Sequence, residues 1–340
     1  MVYFCTYFDK NYLPRGLALY RSLQQHCPAF KLWVLCMDQE SYRVLGELNL
    51  PEVHPISLEA FELNDDPLRA AKNNRSTIEY YFTCTPSLPL YVFAHSPEVD
   101  LITYLDADLF FFASPEPLFV EMGAGAVAIT AHRFPRGLED RKRYGIYNVG
   151  WLSFRRDENG LACLDWWRAR CLEWCYDREE DGRFADQKYL DDWPTRFESV
   201  VVLQHKGANL APWNLSNYKL RRPNNQTVTV DHQPLIFFHF HALKKASRWI
   251  YDPSWLEYHV DPSRILRTGI YAPYLRAVFS VSRQIARFTT ARAISNSSRA
   301  WRADESEAVS PLRRAVRRLR SLSSLASDTI AGRLIFLPGG

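Results

Sequence analysis

From Leu101 to Phe112 the chain reads Leu-Ile-Thr-Tyr-Leu-Asp-Ala-Asp-Leu-Phe-Phe-Phe, a nearly unbroken apolar run interrupted by two carboxylates. Such a run suits a strand buried on both faces of a mostly parallel sheet. A buried strand does not tolerate unpaired carboxylates, so Asp106 and Asp108 belong at its end or beside a cation. Side chains two apart on extended backbone point the same way, and both can therefore converge on one ion. Hard cations such as Mn²⁺ or Mg²⁺ choose carboxylate oxygens and share them with phosphates. The bland alternative is a pair of solvated acids at a strand terminus, because an Asp-x-Asp triplet alone is a weak motif.

The chain before this run alternates strands and helices. Residues 2–8 predict a strand. Tyr12 to His26 predicts a helix with Leu13, Leu17, Tyr20 and Leu23 on one side. Lys31 to Met37 then reads as a strand, Glu40 to Leu50 as a helix and Val53 to Leu58 as a third strand. This alternation predicts an α/β fold with a doubly wound, mostly parallel sheet. Ligands of such sheets sit at the carboxyl ends of the strands. Ile78 to Ala94 reads as a helix that Pro86 and Pro89 kink or split. Residues 144–154 read as a loop entering a strand, 184–193 as the start of a helix, and 235–241 as the last clear strand. The sheet-forming pattern ends near Pro262.

Composition narrows the classes. A hydrophobic content of 47% excludes a disordered chain. Seven irregularly spaced cysteines without a Cys-x-x-Cys pair fit reduced, buried thiols rather than a disulfide framework or a zinc site. The first residues lack the basic and apolar regions of a signal peptide, and no apolar segment reaches membrane-spanning length; a cytoplasmic protein is expected. The net charge of +4 hides an asymmetry: from residue 262 onward there are fourteen Arg, no Lys and four acids, +10 in all, so the first 261 residues carry −6.

Phe237-Phe238-His239-Phe240-His241 is a second apolar segment ending in metal-capable side chains, followed by Lys244 and Lys245. A neutral imidazole completes an oxygen-rich site, and a dication with a lysine is the arrangement that neutralises a leaving diphosphate. A lone strand histidine is more often merely packed. Likewise Asn148 and Gly150 fit a simple turn before a strand, and Asp186 fits the first-turn acid of a helix.

Taken in order, the Tyr12 helix, Leu-Asp-Ala-Asp, Tyr-Asn-Val-Gly, Ala-Asp-Gln, Trp-Asn-Leu-Ser and His-Phe-x-x-x-x-Lys resemble the nucleotide-sugar glycosyltransferases of family 8, the glycogenin and bacterial lipopolysaccharide galactosyltransferase group. The resemblance covers roughly residues 1–250. It implies a GT-A-like, Rossmann-type fold for residues 1–261 and Mn²⁺ (or Mg²⁺) held by Asp106, Asp108 and His239. Lys245 falls at the family's phosphate-contacting lysine, with Lys244 and His241 as close alternatives to Lys245 and His239. Asn148, Asp186 and Gln187 fall at the donor sugar, with Gln187 near the anomeric carbon. Thr6, Tyr12 and Asp9 fall where the first loop grips the nucleobase and ribose. The implied donor is a UDP-sugar, the acceptor a glycan or lipid-linked glycan of a cell-surface polysaccharide or lipopolysaccharide, and the outcome retention of configuration. Two departures stand out. Ala242 replaces the family's glycine, and residues 83–90 carry none of the basic residues that many relatives turn toward the donor, which leaves two alternatives, compensation by Arg75 or a different donor.

Residues 262–340 form a basic extension. Within 311–326, Leu312, Val316, Leu319, Leu322 and Leu325 share a helical face and the arginines lie off it. That pattern reads as an interfacial anchor on an anionic membrane, peripheral at the inner face of the cytoplasmic membrane, or as a helix docked on the body. No nucleic-acid motif accompanies the charge. The competing functions are a non-catalytic membrane- or glycan-binding protein on the same fold and a metal-dependent phosphatase. The phosphatase pattern wants its Asp-x-Asp on the first strand followed by Thr or Val, where this chain has Leu109.

Overall fold

A computed structural model describes residues 1–223, 226–247, 250–288 and 334–336. Its strands are β1 (Val2–Phe8), β2 (Phe30–Cys36), β3 (Val53–Ser57), β4 (Leu101–Leu105), β5 (Leu109–Phe111), β6 (Val127–Ala131), β7 (Tyr147–Arg155) and β8 (Val200–Leu203). Seven short ones follow: β9 (Leu220–Arg221), β10 (Thr229–Val230), β11 (Gln233–Pro234), β12 (Phe237–His239), β13 (Lys244–Lys245), β14 (Ile250–Asp252) and β15 (Ile335–Phe336). The helices are α1 (Leu13–His26), α2 (Gln39–Leu48), α3 (Leu58–Glu62), α4 (Asp66–Ala71), α5 (Thr77–Cys84), α6 (Ser87–His95), α7 (Glu116–Met122), α8 (Glu158–Glu173), α9 (Trp193–Arg196) and α10 (Ala272–Ile285).

The central sheet runs β3-β2-β1-β4-β7-β6-β8. All neighbours are parallel except β7, which is antiparallel to both β4 and β6. The doubly wound, mostly parallel sheet is the expected one. Strand β1 lies between β2 and β4, so the order reverses there, and the ends of β1 and β4 make the crevice where such sheets bind ligands. One core contains α1, α2 and the end of α10 against one face; the other contains α5, α6 and α8 against the opposite face.

Local chemistry explains the elements. In α1, Pro14 occupies the first turn, and Leu13, Leu17, Tyr20 and Leu23 are all buried. Gly16 is required there, because a Cβ would run into the ring of Phe8 at the end of β1. Asp38 caps α2 by accepting the Ser41 N–H at 2.7 Å. The helix expected over 78–94 is split: α5 ends at Cys84 and α6 begins at Ser87, around Pro86. All seven cysteines are buried and free.

Two expectations are revised. The single strand over 101–112 is two strands, β4 in the central sheet and β5 in a separate ribbon with β12. The chain turns between them, with the Leu109 N–H on the Asp106 carbonyl at 3.1 Å, where the two carboxylates interrupt the apolar run. Residues 184–193 form no regular helix: Ala185 adopts φ 47° and a 3₁₀ turn covers Lys188–Asp192. Beyond Pro262, where the strand pattern fades, α10 seats Tyr274, Leu275, Val281 and Ile285 in the cores of the body. The amphipathic stretch 311–326 lies outside the described residues. No helix among the described residues is long and apolar enough to cross a membrane.

Ala242, where the family has glycine, adopts φ 56°. The left-handed backbone is kept by a residue that pays about 1–2 kcal/mol for it. Ala242→Gly is expected to stabilise the protein by roughly 1 kcal/mol after glycine's own entropy cost, read by urea denaturation; a destabilised variant would contradict the strain.

Candidate active site

The β5–β12 ribbon assembles the centre. Its antiparallel register sets His239 opposite Leu109, and the Phe240 N–H donates to the Asp108 carbonyl at 3.0 Å. His239 Nε2 thereby lies 3.1 Å from Asp108 Oδ1 and 3.6 Å from Asp106 Oδ2. The donor atoms of Asp106, Asp108 and His239 all fall within 4.8 Å of one another. His241 is outside this group; its ring centroid is 5.9 Å from that of His239 and 5.3 Å from that of Trp213.

Asn148, on β7, sits behind the imidazole. Its Oδ1 accepts from His239 Nδ1 at 3.2 Å and from the Gly150 N–H at 3.1 Å. Its Nδ2 donates to Gln187 Oε1 at 3.2 Å and to His132 Nε2 at 3.2 Å. When the ring is neutral and its Nδ1 proton goes to Asn148, the Nε2 lone pair of His239 faces the two carboxylates. Three lone-pair donors thus face one another, an arrangement that a cation relieves, and two carboxylates with an imidazole suit Mn²⁺ or Mg²⁺. The residues present fit a divalent ion.

The charges respond accordingly. Burial pushes the Asp106 carboxyl up to about 6, against the pull of His239. Burial also acts to raise Asp108, but His239 and Arg15 prevail and hold it well below the carboxylate range. For His239, burial opposes protonation while Asp108 and Asp106 favour it more, and the ring stays above its ordinary value. Asp186 is 4% exposed, and its Oδ2 has no partner. Burial pushes this carboxyl up to about 7. Gln187 Nε2 donates to the Tyr144 carbonyl at 3.0 Å, so both ends of its amide are engaged.

The other predicted residues are more dispersed. Asp9 closes the loop after β1: its Oδ1 accepts the N–H groups of Asn11 and Tyr12, each at 3.0 Å. Tyr12 stands at the N-cap position of α1 without a side-chain cap, and burial pushes its phenol up to about 12. Thr6 is not in that loop but inside β1, fully buried. Lys245 is exposed on β13, opposite Tyr251. Arg75 is occupied elsewhere, donating to the Leu172 carbonyl at 3.3 Å with its guanidinium 4.0 Å from the Tyr176 ring.

Sequence reasoning missed several supports. Tyr104 donates its hydroxyl to Asp106 Oδ1 at 2.9 Å; its position two before Asp106 on a strand was a usable signal. Trp213 Nε1 and Asn214 Nδ2 hold the His132 carbonyl at 3.0 and 2.9 Å, giving the Trp-Asn motif a structural task. Gly150 is no turn residue but lies in β7, where a Cβ would come 2.7 Å from Asn148 Oδ1 and 2.9 Å from His239 Nδ1. Arg15 reaches the site from α1, its Nη1 3.9 Å from Asp108 Oδ2.

The uncharacterised protein YfnF of Bacillus subtilis (strain 168) is 33% identical over 251 residues, 72% of this chain and 82% of YfnF. YfnD of the same organism is 30% identical over 276 residues, 80% of this chain and 87% of YfnD. This chain belongs to the family of YfnF and YfnD. Among solved structures, the galactosyltransferase LgtC in complex with donor and acceptor sugar analogues aligns with a TM-score of 0.52 at 15% identity, over 82% of this chain and 96% of LgtC. An active-site mutant of LgtC aligns with a TM-score of 0.51, at the same identity and coverage. No family model matches the chain. The likeness to LgtC is one of fold, and it makes this YfnF relative a GT-A-type α/β protein, as the resemblance to family 8 implied.

Two outcomes are expected. Gly150→Ala should cost about 1–3 kcal/mol by overpacking, measured by urea denaturation, since the added methyl displaces Asn148 or His239; an unchanged midpoint would refute the close approach. Between roughly pH 4, where an unfolded Asp titrates, and pH 7, folded Asp186 keeps a proton that the unfolded chain releases. Stability therefore falls as pH rises through that window. Asp186→Asn should be more stable than the parent at pH 8, by on the order of a few kcal/mol, with the gap closing toward pH 5.

Proposed function

We propose that this protein is a metal-dependent glycosyltransferase that moves a sugar from a nucleoside-diphosphate sugar, UDP-linked, to a glycan or lipid-linked glycan acceptor, with retention. The observation that carries this reading is the convergence of Asp106, Asp108 and His239 within 4.8 Å at the carboxyl end of β4, in a fold shared with LgtC. Asp106, Asp108 and His239 would hold the divalent ion. When bound, such an ion takes up negative charge on the departing diphosphate.

The remaining residues bind and orient. Lys245, with Lys244 beside it, contributes positive charge toward the diphosphate. Asp9 and Tyr12 shape the loop that meets the nucleoside, with Thr6 supporting that loop from within β1. Asn148, Asp186 and Gln187 meet the donor sugar, and the Asn148 network fixes the Gln187 amide. Gln187, taken as the group nearest the anomeric carbon, is an amide and forms no glycosyl ester of the kind a double displacement needs. A front-face route is therefore favoured. The bond from the anomeric carbon to the phosphate oxygen breaks, the acceptor oxygen bonds to the same face, and its proton passes to the leaving phosphate.

Two further elements belong to the same proposal. Residues 1–261 form the glycosyltransferase domain and 262–340 its basic extension, which attaches the protein to an anionic membrane surface on the cytoplasmic side through 311–326. Residues 311–326 carry five Arg and no acid. Failure of the full chain to bind anionic liposomes would remove the membrane element alone.

Thermal shift against a panel of nucleoside diphosphates, with and without Mn²⁺, tests the central claim. One diphosphate is expected to stabilise the protein only with Mn²⁺, by about 2.7 kcal/mol at a hundred times its dissociation constant. Asp106→Asn and Asp108→Asn should each abolish the shift. No shift with any nucleotide would leave the non-catalytic binding protein as the better reading.

A further inference from the structure

The proposed donor chemistry needs positive charge from the protein, and residues 83–90, ahead of the Asp-x-Asp turn, supply none. Arg75 is held by Leu172 and Tyr176. On the opposite flank, α1 delivers Arg15, one turn after Tyr12, with its guanidinium 4.7 Å from the Tyr12 ring centroid and its side chain only 17% exposed. Nη2 donates to the Leu243 carbonyl at 2.5 Å. Nη1 lies 3.9 Å from Asp108 Oδ2, while Asp108 Oδ1 is the oxygen that faces His239 at 3.1 Å.

The two oxygens of Asp108 are thus divided, one toward Arg15 and one toward the cluster of donors. Leu243, whose carbonyl takes the other arm, directly precedes Lys244 and Lys245 on β13. One planar fork therefore joins α1, the Asp-x-Asp turn and the entry to the lysine strand. A lysine could not make this link, because its ammonium is a single point of charge.

We infer that Arg15 is a positioning residue of the donor site, setting the Asp108 carboxylate toward a divalent ion and the Lys244–Lys245 strand toward a diphosphate; this rests on the glycosyltransferase reading. Without Arg15, Asp108 Oδ2 loses its neighbouring cation and the Leu243 carbonyl loses its donor. Arg15→Lys restores the first function and not the second.

The test uses the full chain and its Arg15→Gln and Arg15→Lys variants. Mn²⁺ binding alone is followed by the electron paramagnetic resonance signal of the free ion, and nucleoside diphosphate binding with Mn²⁺ by calorimetry. Arg15→Gln is expected to bind Mn²⁺ about 10–100-fold more weakly, the usual range for a residue supporting a metal ligand. Arg15→Lys should recover most of the Mn²⁺ affinity yet bind the diphosphate at least tenfold more weakly than the parent. Mn²⁺ affinity within twofold of the parent in Arg15→Gln overturns the inference, as does an Arg15→Lys variant no better than Arg15→Gln, which marks a merely structural arginine. If Arg15→Gln fails to fold, parent-like diphosphate binding by Arg15→Lys overturns it. A parent that binds Mn²⁺ and no nucleoside diphosphate defeats the glycosyltransferase reading and the lysine half of the inference, while the Mn²⁺ comparison still judges the hold on Asp108.

Discussion

Two carboxylates and an imidazole with their lone pairs aimed at one another are costly to bury, and much of the structure around them answers that cost. The Asp108–His239 contact of 3.1 Å is the tightest part. Asn148 takes the far nitrogen of His239, Tyr104 takes one oxygen of Asp106, and Arg15 stands beside one oxygen of Asp108. Each partner withdraws one lone pair or proton from the cluster, so what is left is directed inward. That inward set is what a divalent ion needs.

The backbone around the site is arranged for the same contact. Strand β7 runs antiparallel within a parallel sheet and delivers Asn148 and Gly150 to the level of the β4 end, where the Asp106 N–H donates to the Gly150 carbonyl at 3.1 Å. The absence of a side chain at Gly150 leaves room for the imidazole. The ribbon of β5 and β12 leaves the main sheet and fixes His239 by register rather than by a loop. A site built on paired strands is held more closely than one built on loops alone.

Much of this was legible in the chain. The hydrophobic alternation over the first 60 residues defined β1, α1, β2, α2 and β3, because burial of apolar faces is a local, periodic property. Asp106, Asp108 and the pair His239 and His241 were legible too, since charged or polar groups ending apolar strands conflict with burial unless they have a partner. Arg15 and Tyr104 were not singled out. An arginine in an amphipathic helix and a tyrosine in an apolar strand satisfy the local pattern whether or not they reach a carboxylate.

Sequence by itself determined the fold class, the order of the motifs and the residue types able to hold a cation, because these follow from periodicity and side-chain chemistry. Only the tertiary structure decided that residues 101–112 turn at Asp106 rather than run straight, that His239 and not His241 joins the carboxylates, and that Asp186 is buried with an unpartnered oxygen. These outcomes depend on strand register and on contacts between residues more than a hundred positions apart, such as Asp108 with His239. No local pattern encodes them; the shared core does.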